Sequence, residues 1–229
     1  MAVRGKTAIE LSGTFGRRNV AIAMRWLAAA KTVAADGKIF DPAALSWTTA
    51  PDPSSNQPGD PVTATEALLR FAQDNRLRRV PIGVIGPREA TPAQDALAEQ
   101  MGRALALHGL QMLCGGKSGV MEAACRGHAA AGGFPIGLLP DGEWQEANRY
   151  VAIPIATGIG PARNAIIARC CVALVAIGGG VGTLSEMALG LQFNRLVLAL
   201  ADAPEVAGVP RLAGVDEAMA KIADRLLGM

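Results

Sequence analysis

Residues 172–186 read VALVAIGGGVGTLSE, and this stretch decides the fold. Its first part is a continuous apolar run, as in a strand that is buried on both faces. Gly178, Gly179 and Gly180 follow where that strand would end, and glycine allows backbone conformations with positive φ. A helix is predicted to begin near Gly182, which places Glu186 about one turn inside it. The stretch therefore predicts a strand, a glycine turn and a helix.

The same strand–turn–helix rhythm runs through the sequence from Val80 onward. Short apolar runs alternate with longer segments that carry helix signals, and this alternation is typical of βαβ units with a parallel sheet. The fold class is predicted to be α/β, a Rossmann-like doubly wound parallel sheet that is flanked by helices and preceded by an N-terminal extension. The predicted strands cover residues 80–86, 110–116, 134–140, 150–155, 171–177 and 195–201, and the predicted helices cover residues 91–109, 118–133, 160–170, 182–193 and 213–228.

A proline-rich stretch separates this rhythmic part from the beginning of the chain. Residues 48–61, TTAPDPSSNQPGDP, contain almost nothing apolar and are predicted to form a loop or linker. We therefore divide the chain into residues 1–61, an N-terminal extension and linker of unassigned role, and residues 62–229, a Rossmann-like nucleotide-binding domain.

Local patterns on both sides of the linker predict further elements. A short strand is predicted over Thr7–Leu11 and a helix over Asn19–Ala35, which Asp36-Gly37 would end. After the linker, Thr63 and Glu66 have the spacing of a capping box, in which each residue satisfies a free backbone N–H at a helix start.

Charge and composition disfavour several classes of function. The net charge is +2 and only 4% of the residues are aromatic, whereas nucleic-acid binding normally needs a basic face and stacking rings. The four cysteines form no C-x-x-C pair and there are only two histidines, so no metal site is predicted and the thiols are expected to be free and buried. No segment approaches the roughly 18 consecutive apolar residues of a membrane span. A cytoplasmic protein without a membrane partner is predicted.

The glycine turn that follows the fifth predicted strand is a candidate ligand site. Ligands bind at the C-terminal strand ends in this architecture, and free N–H groups at a helix start favour an anion. Gly178, Gly179, Gly180 and Gly182 allow a phosphate to approach the backbone, Thr183 offers a helix cap and a hydroxyl, and Glu186 points to a hydroxyl-rich group such as ribose. The alternative is a tight turn that only needs small residues.

Three further turns add candidate binding residues. TGIGPARNAIIARC, residues 157–170, places Arg163 and Asn164 in the first turn of a helix, where an arginine opposes the helix dipole and suggests a phosphate or carboxylate partner. A surface arginine paired with a nearby acid is the alternative. The turns after the first and second predicted strands contribute Gly86, Gly115, Gly116 and Ser118, each of which also fits a plain βα turn.

These motifs together resemble a known family. GGGVGTLSE, residues 178–186, resembles the P-G-G-x-G-T-x-x-E signature of the LOG (lonely guy) family, also called lysine decarboxylase-like. Residues 157–191 are more similar to a sister branch that contains the molybdenum cofactor carrier protein. The resemblance covers residues 80–201, a little over half of the chain, and does not extend to the N-terminal segment.

The resemblance implies a Rossmann-like fold, a homodimer or higher homo-oligomer, and a small phosphorylated ligand such as a nucleotide or a molybdopterin-type cofactor. In LOG enzymes the signature glutamate and an arginine hydrolyse the N-glycosidic bond of a nucleoside 5′-monophosphate without a cofactor. The corresponding residues are Glu186 and Arg163. Gly178 replaces the proline of the signature and Asn164 replaces a lysine, as in the carrier branch. We therefore favour a non-catalytic carrier slightly over a phosphoribohydrolase, with single-stranded DNA binding as a distant alternative.

Overall fold

The computed structural model describes residues 24–49 and 58–228. Within these ranges the strands are β1 (Arg25–Leu27), β2 (Thr32–Ala35), β3 (Lys38–Asp41), β4 (Ser46–Thr49), β5 (Asp60–Pro61), β6 (Pro81–Ile85), β7 (Gln111–Cys114), β8 (Ile136–Leu139), β9 (Ile153–Ala156), β10 (Ala173–Ile177) and β11 (Leu196–Leu200). The helices are α1 (Ala64–Gln73), α2 (Pro92–Leu107), α3 (Val120–Ala130), α4 (Arg163–Cys170), α5 (Val181–Gln192) and α6 (Val215–Leu227). Short 3-10 turns cover Trp144–Glu146 and Gly160–Ala162.

The larger sheet is parallel and has the strand order β11-β10-β6-β7-β8-β9. Its strands extend in both directions from β6, so the strand order reverses between β6 and β10. In open parallel sheets, ligands bind outside the C-terminal strand ends at this point. The predicted α/β fold, a parallel sheet flanked by helices with an N-terminal extension, is confirmed.

The central strands are apolar on both faces because helices cover both faces. On β10, the side chains of Ala173, Val175 and Ile177 join the core that α2, α3 and α6 share. Leu174 and Ala176 join a second core with α4 and α5 on the opposite face. Since successive side chains of a strand point to opposite faces, a strand between two helix layers must be apolar throughout.

Helix starts follow the local signals in the sequence. The predicted capping box of Thr63 and Glu66 is present at the start of α1. α2 begins in the same way with Thr91 and Gln94. Each N-cap satisfies a backbone N–H that has no partner inside the helix, which contributes about 1 kcal/mol.

The smaller sheet is antiparallel, with the order β4-β3-β2-β1-β5. Its aromatic side chains pack on α1, since the ring centroids of Trp26 and Phe71 are 5.2 Å apart and those of Phe40 and Phe71 are 5.9 Å apart. The indole N–H of Trp47 donates a hydrogen bond of 2.5 Å to the carbonyl of Leu227 at the end of α6. These residues share the core that α2, α3 and α6 form with the large sheet, except for Trp47, which is partly buried against it.

The predicted helix over Asn19–Ala35 is wrong in its described part, and residues 19–23 lie outside the described ranges. Antiparallel strands β1 and β2 stand in its place. The pair Asp36-Gly37 does not end a helix but forms the turn from β2 to β3, with φ angles of 48° and 72°. Two positive φ angles are typical of an Asp-Gly hairpin turn. Burial of Trp26 and Val33 outweighs the helix propensity of the neighbouring alanines.

Two other predictions near the N-terminus have different outcomes. The predicted strand over Thr7–Leu11 lies outside the described residues. Within the predicted linker, residues 50–57 also lie outside them, and the two ends of the linker are not loop because they contribute to β4 and β5.

The four cysteines are free thiols, as predicted. Cys114, Cys125 and Cys171 are buried, but Cys170 is exposed, so the expectation of four buried thiols is wrong for this residue. Cys170 is the last residue of α4, beyond Ile167 and Ala168, which pack into the core. No helix within the described residues is long and apolar enough to cross a membrane.

Candidate functional site

A cavity of about 440 Å³ opens at the C-terminal ends of β6 and β10, where the strand order reverses. Its wall combines the turns after β6 and β8 with the starts of α4 and α5. The volume is within the range of small-molecule sites, about 300–1,000 Å³. The residues that line it are Gly86, Pro87, Arg88, Met121, Pro140, Asp141, Gly160, Pro161, Arg163, Asn164, Gly180, Gly182, Thr183 and Glu186.

The charged centre of this wall is a buried ion pair. Arg163 Nη1 lies 3.2 Å from Glu186 Oε1, and each side chain is only 8% exposed. Burial raises the pKa of Glu186 to about 7, because a buried carboxylate loses its hydration. The neighbouring guanidinium of Arg163 opposes this effect. Burial also lowers the pKa of Arg163 below its ordinary value. The Nε atom of Arg163 is buried and has no hydrogen-bond partner among the described residues.

Asn164 holds the arginine and connects α4 with α5. Arg163 Nη1 donates a hydrogen bond to Asn164 Oδ1. The Asn164 amide donates in turn to Ser185 Oγ at 3.1 Å, and the Ser185 hydroxyl donates to the carbonyl of Gly182 at 2.7 Å. A chain of hydrogen bonds therefore runs from the buried guanidinium to the first turn of α5.

Gly115, which follows β7, supports the arginine and does not line the cavity. A Cβ atom at this position would collide with Arg163 Nη2 and would lie 2.9 Å from Arg163 Cζ and 2.9 Å from Met121 Sδ. Any larger residue would therefore displace the guanidinium. The glycine that the sequence predicts as a phosphate-binding residue acts on the site through Arg163.

The turn from β10 to α5 forms the open side of the cavity. A Cβ atom at Gly180 or Gly182 would meet no other atom within 4 Å, so both positions face free space. The first backbone N–H groups of α5 lie at this wall, and a helix start favours an anion. Thr183 does not cap the helix, because α5 already begins at Val181. Its side chain is buried against Gly179, where a Cβ atom would collide with Thr183 Oγ1.

The remaining predicted binding residues divide between the cavity and its surroundings. Gly86 lies on the wall. Gly116 and Ser118 do not, and the Ser118 hydroxyl donates a hydrogen bond of 3.0 Å to the carbonyl of Arg88. Gly178 is also absent from the wall, and its φ of 59° allows the chain to turn away from β10.

The wall residues that were not among the predicted binding residues include Arg88, Met121 and Asp141. Arg88 directly follows the glycine turn after the central strand β6, and this position was the available signal. Asp141 follows β8, and Lys117 Nζ lies 2.9 Å from Asp141 Oδ2 and 3.4 Å from Glu146 Oε2. The hydrogen bond from Lys117 lowers the pKa of Asp141 below its ordinary value.

The chemistry of the wall suits an organic anion. Arginine side chains and a helix start favour a phosphate or carboxylate, while Glu186 can accept a hydrogen bond or exchange a proton near neutral pH. The described residues contain no group of three or more His, Cys, Asp and Glu side chains that is placed to hold a metal ion.

Comparison with known proteins finds a matching family and a similar sequence. The model of the SLOG cluster4 family matches residues 79–221. A protein from Archaeoglobus fulgidus is 37% identical over 124 residues, which are 54% of this chain and 82% of the relative. The residues that the family model matches include the whole parallel sheet.

Solved structures similar to this chain include two that concern the molybdenum cofactor. The molybdenum cofactor carrier protein from Chlamydomonas reinhardtii is 36% identical with a TM-score of 0.60, covering 66% of this chain and 100% of that one. The molybdenum cofactor binding protein from Rippkaea orientalis is 36% identical with a TM-score of 0.54, covering 66% and 88%. DNA processing protein A from Streptococcus pneumoniae, 18% identical with a TM-score of 0.52 over 66% of this chain and 63% of that one, shares the fold alone. The resemblance to the LOG superfamily, near the carrier branch, is confirmed.

Proposed function

The chain belongs to the SLOG cluster4 family, and we propose that it is a non-catalytic carrier of a phosphorylated cofactor, with the molybdenum cofactor as the favoured ligand. The similar structures from Chlamydomonas reinhardtii and Rippkaea orientalis bind or carry that cofactor by their names. The cargo is a pterin that carries a phosphate, so the cavity must offer an anion site and a polar contact for the ring.

The observation that carries the proposal is an unsatisfied cationic group beside an open helix start. Nearly all buried polar atoms in proteins have a hydrogen-bond partner, and Arg163 Nε has none among the described residues. In the same cavity, Gly180 and Gly182 leave room in front of the first N–H groups of α5. A phosphorylated ligand offers acceptors to both groups at once.

Different residues of the wall contact different parts of the ligand. The start of α5 receives the phosphate, since a side chain at Gly180 or Gly182 would occupy the space in front of it. Arg163 and Glu186 contact the polar part of the ligand, and Met121 contributes apolar surface. Because Arg163 and Glu186 already pair with each other, binding needs no chemical step from them.

The test is to isolate the chain from cells that synthesise molybdenum cofactor and to measure its molybdenum and pterin content. We expect both in near-equal amounts, and a strong reduction in Arg163→Met. Arg149→Met is the matched control, because Arg149 is an exposed arginine that lies over the Tyr150 ring outside the cavity. Folded wild-type protein that contains neither molybdenum nor pterin would contradict the proposal.

A phosphoribohydrolase is the second candidate, and the pKa of Glu186 favours it. A carboxyl group with a pKa of about 7 is suited to acid–base chemistry at neutral pH. Water would replace the base at the anomeric carbon of a nucleoside 5′-monophosphate, giving free base and ribose 5-phosphate. In its ionised form Glu186 would stabilise the positive charge that develops on the ribose, while Arg163 would orient the phosphate or the base.

Base release separates the two candidates. Wild-type protein and Glu186→Gln are incubated with a panel of nucleoside 5′-monophosphates, and free base is measured by chromatography. Release by the wild type alone supports the hydrolase. Absence of release with every nucleotide, from protein that is folded, leaves the carrier.

The chain is further proposed to form a homo-oligomer through an apolar face beside the cavity. Ile166 on α4 and Val181 and Leu184 on α5 are exposed, and Val181 is 85% exposed. Ile153 and Ile155 on the edge strand β9 are also exposed. Their partners on β8, Ile136 and Leu138, pack on the side of the sheet that α4 and α5 cover, so the two isoleucines face the same side. A second copy would cover these side chains. Light scattering of wild type and Leu184→Asp tests this, and a monomeric wild type contradicts it.

A cytoplasmic location is part of the proposal. Buried cysteines that remain free thiols are typical of a reducing compartment, and Cys114 and Cys125 lie close, with their Sγ atoms 3.5 Å apart. Fractionation of cells that produce the chain tests this location.

A further inference from the structure

Three cationic side chains lie on or just behind the cavity wall, and two of them are already neutralised. Arg163 pairs with Glu186 at 3.2 Å. Lys117 pairs with Asp141 at 2.9 Å and with Glu146 at 3.4 Å. An anionic ligand that binds to either group must therefore compete with a carboxylate of the protein.

Arg88 is the third cation, and its guanidinium is not paired with a carboxylate of the described residues. It lines the cavity and is exposed. Its guanidinium makes no hydrogen bond or ion pair with any residue in the part of the chain that the structure describes. A guanidinium offers five N–H donors in a planar arrangement that matches two oxygens of a phosphate.

The backbone beneath this side chain is fixed. The Ser118 hydroxyl donates to the carbonyl of Arg88 at 3.0 Å, and the Val120 N–H donates to the carbonyl of Pro87 at 3.1 Å. Gly119, with a φ of 68°, lies so close that a Cβ atom would be 2.5 Å from the Arg88 carbonyl oxygen. A rigid backbone with a free side chain suits a residue that closes on a ligand, because only the side chain loses freedom on binding.

The charge of Arg88 acts within the cavity. It helps to lower the pKa of Asp141, although Lys117 has the larger effect. It also helps to lower the pKa of Arg163, although burial has the larger effect. Arg88 is therefore near both the carboxylate at the end of β8 and the guanidinium at the start of α4.

We propose that Arg88 binds the phosphate of the ligand together with the start of α5, and that it selects ligands with a terminal phosphate over the same ligands without one. This inference rests on the proposed binding of a phosphorylated ligand and names the residue that discriminates. Arg163 and Glu186 then contact the remainder of the ligand, so loss of Arg88 affects only the phosphate.

The test measures binding by calorimetry at low salt, with guanosine 5′-monophosphate and guanosine as probes. Guanine and pterin rings present the same pattern of neighbouring N–H donors, so the nucleotide represents a phosphorylated pterin. The variants are Arg88→Gln, Arg88→Lys and the control Arg149→Gln. Thermal unfolding verifies that each variant is folded, which is expected because both arginines are exposed.

We expect Arg88→Gln to bind the monophosphate at least about 10-fold more weakly, because it loses a charge-assisted hydrogen bond to the phosphate. Affinity for guanosine should not change, Arg88→Lys should recover part of the loss, and Arg149→Gln should behave as wild type. Equal affinity of wild type and Arg88→Gln for the monophosphate would overturn the role of Arg88 while the proposed function stands. A wild type that binds neither the nucleotide nor the co-purified pterin overturns both.

Discussion

The buried carboxyl group of Glu186 makes a quantitative prediction about stability and pH. Its pKa is about 7 in the folded chain, against an ordinary value of 4.5. The folded state therefore binds this proton more tightly than the unfolded state. The resulting stability is fully present below pH 4.5 and is lost as the pH rises through 7.

The size of the effect follows from the two pKa values. Each pH unit by which they differ is worth about 1.4 kcal/mol, so the full contribution is about 3 kcal/mol, and about 2–3 kcal/mol of it disappears between pH 5 and pH 8. Glu186→Gln has no proton to lose at this position. It removes the partner of Arg163 at every pH in this range, which shifts its stability by an amount that varies little with pH.

Urea unfolding of wild type and Glu186→Gln at several pH values between 5 and 8 measures this. The difference between the two free energies of unfolding should change by about 2–3 kcal/mol across the range, with the wild type losing stability relative to the variant as the pH rises. Glu89→Gln, which removes an exposed carboxylate outside the ion pair, controls for the change in net charge. Parallel curves for wild type and Glu186→Gln would refute the reasoning that burial governs this group.

Three further predictions concern single residues. Gly115→Ala should displace Arg163, weaken ligand binding in calorimetry and lower the free energy of unfolding in urea by about 1–3 kcal/mol. Gly142→Ala is the control, because a Cβ atom there meets no other atom within 4 Å, and it should change neither quantity. Gly37→Ala should cost about 1–2 kcal/mol in urea unfolding because the hairpin turn needs a φ of 72°, and an unchanged midpoint would argue against that turn. Burial lowers the pKa of His128 below 6.5, so the stability it contributes should be lost as the pH falls below that value, and His128→Gln should lack this loss in acid unfolding curves.

The parallel sheet could be predicted from the sequence because its signals are local. The buried strands are almost entirely apolar, and the helices after them begin with a cap or a glycine turn, as at Thr91 and Gly180. The small antiparallel sheet gave no such signal. Alanines beside Trp26 resemble a helix, and only packing on Phe71 decides in favour of strands.

The candidate site was also only partly predictable from the sequence. Arg163, Glu186 and the glycines at the start of α5 could be placed at one cavity, because strand ends and helix starts are visible in the sequence. Arg88 and Asp141 were not predicted. The position of Arg88 after the glycine turn of β6 was a signal, but no local pattern shows that this turn and the turn after β8 meet at one cavity. Gly115 was visible, but its role depends on a contact with Arg163 that no sequence pattern shows.

The two departures from the hydrolase signature have physical consequences at this site. Gly178 has a φ of 59°, which proline cannot adopt because its ring fixes φ near −65°. The turn before α5 therefore differs here from a turn that begins with proline. Asn164 accepts a hydrogen bond from Arg163 and donates one to Ser185, whereas a lysine offers no acceptor and would add a second charge beside Glu186. The change at position 164 therefore fixes the arginine and avoids a further positive charge in the cavity, whereas the change at position 178 alters only the turn before α5.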